Sequence, residues 1–288
     1  VNPVSPLNRP ATVNRSSRTH RPPRGRTATA AAAPRPAWGW ALVGAVAGVL
    51  PAVVAFAPAH WLASGVARAT QGQVQLLQAR GTVWTGSAQL VLTGGAASRD
   101  SAALPGRLDW QLRPSFDGLR VQLHAACCTP APLQARVQAS WAGMTLKVAD
   151  GQSQWPAALL AGLGTPWNTL QPQGQLALQT QALAMRWAAG RMVLSGQAQL
   201  DARAMSSRLS TLRPMGSYRL ALQGGEAPTL TLSTLDGALQ LSGTGQWVGQ
   251  RLRFAGEASA APEREAALSN LLNIIGRRNG ARSIITVG

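Results

Sequence analysis

Two hydrophobic patterns divide the chain. From Ala37 to Ala59 the segment AWGWALVGAVAGVLPAVVAFAPA carries no charged side chain. At ~1.5 Å rise per residue, about 20 apolar residues cross the ~30 Å hydrocarbon core of a bilayer. The run therefore predicts one membrane-spanning helix over 37–59. Trp38 and Trp40 at one end and Trp61 beyond the other stand where amphipathic rings favour the headgroup level, and they are the candidate interface anchors. Pro51 predicts a kink of the kind membrane helices tolerate. Ala57-Pro58-Ala59 also resembles a cleavage site, but the run exceeds the ~7–15 residues of a signal-peptide core, which favours an uncleaved anchor.

Beyond residue 60 the pattern changes to period two. Leu108, Trp110 and Leu112 alternate with Asp109, Gln111 and Arg113, and Leu119, Val121 and Leu123 with Arg120, Gln122 and His124. The longest run sets Leu133, Ala135, Val137, Ala139 and Trp141 against Gln134, Arg136, Gln138 and Ser140. Shorter runs follow at Met144/Leu146/Val148, Tyr218/Leu220/Leu222, Leu230/Leu232, Leu239/Leu241 and Leu252/Phe254. One apolar and one wet face per strand marks antiparallel sheet. Gly94-Gly95, Asp117-Gly118, Asp150-Gly151, Gly224-Gly225 and Asp236-Gly237 supply turn chemistry between runs. The prediction is a mainly β chain: one N-terminal transmembrane helix, then a curved, multi-stranded antiparallel domain over 60–288.

Two helical interruptions are expected. Pro156–Leu163 reads as a short apolar turn ending at Gly164. Pro262–Ile275 reads as a helix with Pro262 at its first position, Glu263 and Glu265 near the positive dipole end, and Gly276 as its stop. Arg277-Arg278-Asn279-Gly280 then turns the chain into a last strand, Ser283–Val287.

Charge changes the picture in one respect. The net charge of +17 suggests a polyanion partner. Seven arginines (Arg9, Arg15, Arg18, Arg21, Arg24, Arg26, Arg35) precede the apolar run without an acid among them, and the remaining basic residues are scattered singly. No basic patch interleaves with aromatics for stacking, so nucleic acid is not expected as a partner. The arginine excess instead places the N-terminus in the cytoplasm and everything after residue 60 on the far side of the membrane. Residues 1–36, rich in Pro, Arg and Ala, read as a disordered cytoplasmic tail.

Candidate chemistry is sparse. No nucleotide-binding loop, zinc-protease or nucleophile-elbow motif occurs, and the three histidines (His20, His60, His124) are dispersed. The reading is of a non-enzyme with no cofactor and no metal. Cys127-Cys128 is the unusual local feature. With His124 it offers three soft ligands but no second pair to complete a tetrahedral site. A vicinal disulfide and two plain thiols are the other readings.

Two segments carry a recognisable pattern. GQVQLLQARGTVWTGSAQL (Gly72–Leu90) centres on Gly81-Thr82-Val83-Trp84-Thr85-Gly86, and RLRFAGEASAAPEREAALSNLLNIIGRRNGARSIITVG (Arg251–Gly288) holds Leu271-Leu272-Asn273 followed by Gly276-Arg277-Arg278. Together with GSYRLALQG (Gly216–Gly224) they resemble the type II secretion system protein N family across about residues 37–288. The resemblance implies a single-span inner-membrane accessory component of the machine that exports folded proteins across the outer membrane. It implies other inner-membrane secretion components as partners, and it transfers no catalytic residue. The long Arg-rich tail departs from the family pattern. Gly81 and Gly86 are expected to bracket a short strand that turns Trp84 either into the sheet or toward a partner. Contact through strand edges and the wet face is one functional reading; an apolar groove for lipid or another substrate is the alternative.

Overall fold

A computed structural model describes residues 38–288, leaving out Ala96, Ala142, Ala189 and Gln250. The tail expected to be disordered, 1–36, lies outside the described residues. The chain divides into two units between Ala47 and Gly48, and residues 38–47 are the described part of the first. The division falls inside the first helix, α1 (Trp38–Ala55), which has Pro51 within it and no buried side chain. It is long and apolar enough to cross a membrane.

The helix is shorter than the apolar run. Pro58 disfavours helical backbone at Ala57, so the chain leaves α1 at Ala55 and starts a second helix, α2 (Ala59–Ala69), with Pro58 extended as its N-cap. Ala59, Leu62 and Val66 turn one face of α2 inward, at helical spacing. This helix was not anticipated, because the apolar run masks its start.

The rest is one antiparallel sheet. Its strands are β1 (Val74–Gly81), β2 (Thr85–Thr93), β3 (Ser101–Ala103), β4 (Leu108–Ser115), β5 (Gly118–Ala125), β6 (Leu133–Ser140), β7 (Gly143–Val148) and β8 (Gly151–Pro156). There follow β9 (Gln173–Ala188), β10 (Arg191–Ser206), β11 (Gly216–Gly225), β12 (Thr229–Gly237), β13 (Leu239–Val248), β14 (Arg251–Ala260), β15 (Arg277–Asn279) and β16 (Arg282–Val287). Neighbours in the sheet are mostly neighbours in sequence, from β1 at one edge to β15 beyond β16 at the other, with β3 beside β2 and β8 beside β9. Because direction alternates, the turns after β1, β4, β6, β9, β11 and β13 share one end of the sheet. The connections after β2, β5, β8, β10, β12 and β14 share the other.

Several sequence expectations need correction. Asp150-Gly151 is not a hairpin. β7 and β8 both pair with β9, so the chain only kinks there, and Asp150 Oδ1 accepts the Ala182 N–H across the gap at 2.6 Å. Trp141 does not join the apolar face of β6 but sits in the turn after it, fully exposed. The last long helix, α4 (Glu265–Ile275), starts three residues later than Pro262, because Glu263 takes a left-handed φ of 64° that breaks helical backbone. Gly276 ends it in extended conformation; its lack of a side chain serves close approach to the Ile284 carbonyl.

Three buried clusters lie along the sheet. At the C-terminal side Leu268, Leu271 and Leu272 of α4 pack with Tyr218, Leu239 and Ala258. In the middle, the 3-10 helix Ala157–Leu163 brings Leu159 to Leu104, Leu108, Ala125 and Cys128. A short helix, α3 (Trp167–Leu170), follows it. At the N-terminal side Ala59 of α2 meets Ala88 and Trp110.

Candidate functional site

The loop between β1 and β2 is where the sheet takes hold of the apolar helix. Gly81 and Gly86 do not bracket a strand, as the sequence suggested. Gly81 closes β1, Gly86 is the second residue of β2, and the four residues between them form the tip. Thr82 Oγ1 accepts the Thr85 N–H at 3.1 Å and Thr82 N–H reaches the Thr85 carbonyl at 2.8 Å, which tightens the turn. Gly81 has φ +88°, a conformation that L side chains avoid. A Cβ on Gly86 would stand 2.5 Å from the Trp110 indole.

Each residue of the tip then has a partner across the chain. The half-buried Trp84 donates its indole N–H to the Val54 carbonyl at 2.7 Å. That carbonyl lies in the last turn of α1, where its other donor is the Ala57 N–H at a long 3.4 Å. The Val83 N–H reaches the Ala57 carbonyl at 2.8 Å, and Pro58 forms a bridge with Thr82. From the sheet side, Trp110 on β4 is buried and donates its indole N–H to the Thr82 and Val83 carbonyls, at 3.2 and 3.1 Å. The Leu112 N–H holds the Trp84 carbonyl at 2.6 Å. Two indoles thus act in series: Trp110 fixes the tip, and Trp84 on the tip fixes the helix end.

A bulge stands behind this clasp. Gln78 has φ 50°, and the β1–β2 register shifts between Leu77 and Arg80. Arg107 spans the irregularity, donating to the Gln78 and Ser87 carbonyls at 2.9 Å each. Sequence reading singled out the tip but missed Arg107, Trp110, Val54 and Ala57, whose roles arise only when segments about 30 residues apart meet.

The other expected residues lie elsewhere. Trp38 and Trp40 are exposed on the first turn of α1 and Trp61 is exposed on α2. Leu271 and Leu272 are buried, Asn273 is exposed, and Arg277 and Arg278 stand exposed on β15. The Ser283 hydroxyl donates to the Leu272 carbonyl, which ties α4 to β16. Cys127 and Cys128 are joined as a vicinal disulfide in the connection after β5. Cys128 is buried, and Thr129 Oγ1 sits 3.1 Å from His124 Nδ1. Among the described residues no group of three or more His, Cys, Asp and Glu side chains is placed to hold a metal.

On the polar face of β10, Asp201 is buried to 4% exposure and accepts two bonds from Arg219, at 2.8 and 2.9 Å. Arg219 holds its carboxyl below the usual range, against the opposing effect of burial, and the Arg203 guanidinium adds to the lowering.

The model of the type II secretion system (T2SS), protein N family matches residues 72–285. The chain belongs to this family. The match begins after α2 and runs through the tip Gly81–Gly86 to β16, so it covers nearly the whole sheet and α4. No curated protein matches the chain. No solved structure matches it either. As a protein N family member, the chain is a type II secretion accessory component, and the one helix of spanning length among the described residues fits a single-pass membrane protein.

Proposed function

We propose that the chain is a non-enzymatic inner-membrane component of type II secretion that works through protein–protein contacts of its sheet outside the cytoplasm. The observation that carries this reading is the clasp: an apolar helix long enough to span is hydrogen-bonded at its end to the sheet that defines the family. A freely hinged tether would let the sheet tumble. A clasped one holds its strands in a set direction relative to the point of membrane exit, which suits a part that must meet neighbours in the same membrane.

The arginines ahead of the span support a cytoplasmic N-terminus. Contact is assigned to other inner-membrane secretion components, through the short edge strand β15, with Arg277 and Arg278, and the stretch of β16 beyond it. β15 pairs only with Arg282–Ile284, so Ile285 to Val287 extend past its cover. An uncovered strand edge is a ready surface for strand addition. The lipid-groove alternative gains no support here, since Leu268, Leu271 and Leu272 occupy the apolar face near this edge.

A photo-crosslinking residue at Arg278 or Thr286, in cells assembling the secretion machine, tests the reading. Adducts with an inner-membrane secretion component are expected, together with alkaline phosphatase activity from a C-terminal fusion. A fusion made at full length but inactive, or adducts with no secretion component at any edge position, would overturn it.

A further inference from the structure

The sheet end that holds the helix is also the end that bares its hydrophobic side chains. Among the described residues outside α1 and the residue after it, the large hydrophobics at least half exposed are Trp61, Phe116, Trp141, Val193, Val248 and Val287. Trp61 begins α2 beside the clasp, and the other five lie in or near turns and strand ends on the Trp84 side of the sheet. At the opposite end Trp167, Leu235 and Ile274 are less exposed, at 37, 45 and 44%. Phe116 and Trp141 are extreme, with 115 and 108% of their reference surface in solvent. Each tips one of the two hairpins next to the β1–β2 hairpin in the sheet.

Register shows that these tips overhang. Thr85, at the start of β2, pairs with Gln111, yet the β4–β5 ladder continues through four further residue pairs to Ser115 and Gly118. The β6–β7 ladder then runs three pairs past the level of Leu119 and Val137. With ~4.8 Å between strands, both tips fall within about 20 Å of the clasp measured across the sheet. Arg113 and Arg120 face each other three and four residues from Phe116 and are exposed, each with a neutral partner (Gln111 and Ser115), while Asp117 is bound by Arg136 at 2.8 Å and also lies in the field of Arg120.

We infer that this end of the sheet rests on the membrane from which α1 emerges, with Phe116 and Trp141 seated at headgroup depth and Arg113 and Arg120 against anionic lipid phosphates. Aromatic rings favour that depth, and arginines near an anionic surface are attracted to it. Aromatics wholly in water have no packing role in the fold, and the clasp brings a bilayer surface within their reach. This rests on α1 spanning the membrane. It adds that the sheet is held by three points, one covalent and two interfacial, so that it leans on the bilayer and does not stand free of it.

Variants of the full chain with one added cysteine, Phe116→Cys, Trp141→Cys, Ala131→Cys and Val46→Cys, labelled without reductant so that Cys127 and Cys128 stay joined, with a polarity-sensitive dye in phosphatidylethanolamine/phosphatidylglycerol vesicles, test it. Ala131 is exposed in the connection after β5, at the far end. The expected result is blue-shifted emission at 116 and 141, lost to nitroxide-bearing lipid and protected from iodide, with the reverse at 131. If 116 and 141 behave like 131 while 46 reports lipid, the inference is wrong and the span stands. If 46 also reports water, the spanning reading itself fails.

Discussion

The two sides of the sheet are held by different physics. On the C-terminal side α4 buries three leucines, Leu268, Leu271 and Leu272, at 0, 2 and 0% exposure. On the N-terminal side the fully buried members of the cluster are Ala59, Ala88 and Trp110, with Leu62, Leu76, Leu112 and Leu123 only partly buried against them, and indole and backbone hydrogen bonds are added to that packing. Burial is non-directional and contributes free energy in proportion to area. Hydrogen bonds contribute about 1 kcal/mol net each but fix angles and distances. The difference teaches that non-directional burial dominates at one side and that directional hydrogen bonding is added at the other, where the end of α1 meets the sheet.

The sharpest way to break that comparison is to remove burial alone. Leu272→Ala leaves a cavity under α4 and is expected to lower stability by about 2–5 kcal/mol, read from denaturant unfolding of the detergent-solubilised full chain. The geometry of the helix end should not move, so a spin-label distance between Ala52 and Gln111 should be unchanged while the protein stays folded. A shift in that distance would show that the two sides are not separable.

Next in size is the polar counterpart on the same half, the buried Asp201 with Arg219. Its lowered carboxyl keeps the charge in the native state, so its stabilisation is complete above the ordinary carboxylate range and fades as pH falls below about 4, through the lowered native value. Asp201→Asn removes a charge-assisted pair and is expected to cost about 1.5–3 kcal/mol at neutral pH. It should also flatten the loss of stability on acidification, seen by comparing unfolding midpoints of the two proteins from pH 6 down to 3. Equal acid sensitivity in the variant would assign the titration to another carboxyl.

How far the sequence revealed these regions follows from whether alternation is interrupted. Leu108, Trp110 and Leu112 on β4 keep one phase from end to end, and the strand is legible. β9 is not. Leu176 and Leu178 face inward, then Ala182 takes a φ of 47° as an extra residue, and Leu183, Met185 and Trp187 continue in the opposite phase. A bulge therefore hides a 16-residue strand from a period-two search. Ala204 does the same to β10, where Leu200 and Ala202 give way to Met205. The apolar helix, the turn glycines other than Gly151 and the leucine stripe of α4 could be read because each is local. The clasp could not, since Trp84 and Val54 are 30 residues apart and nothing in either segment names the other.

On the N-terminal side, Gly86→Ala tests how tightly the tip is held. The added methyl would stand 2.5 Å from both the Trp110 indole and the Arg80 carbonyl, so the ring must give way or the strand must shift. Overpacking of this kind costs about 1–3 kcal/mol. Unlike Leu272→Ala, it should also broaden the Ala52–Gln111 distance distribution, because it displaces the indole on which Thr82 and Val83 rest. An unbroadened distribution with the same stability loss would make Trp110 a packing residue only.

The smallest stability effect should carry the largest angular one. Trp84→Phe keeps an aromatic ring but deletes the indole donor to the Val54 carbonyl, leaving the long bond from the Ala57 N–H, and the expected loss is about 0.5–1.5 kcal/mol. That carbonyl belongs to a helix end, and water can take over its hydrogen bond, which is why the energetic penalty is modest. Water supplies no direction, however. The Val83 and Pro58 contacts remain and act as a hinge about which α1 can swing. The Ala52–Gln111 distance should broaden more than in Gly86→Ala, although the protein is more stable than that variant. If instead the two properties fall together across Leu272→Ala, Gly86→Ala and Trp84→Phe, orientation is a by-product of stability and the division of labour between the two sides is wrong.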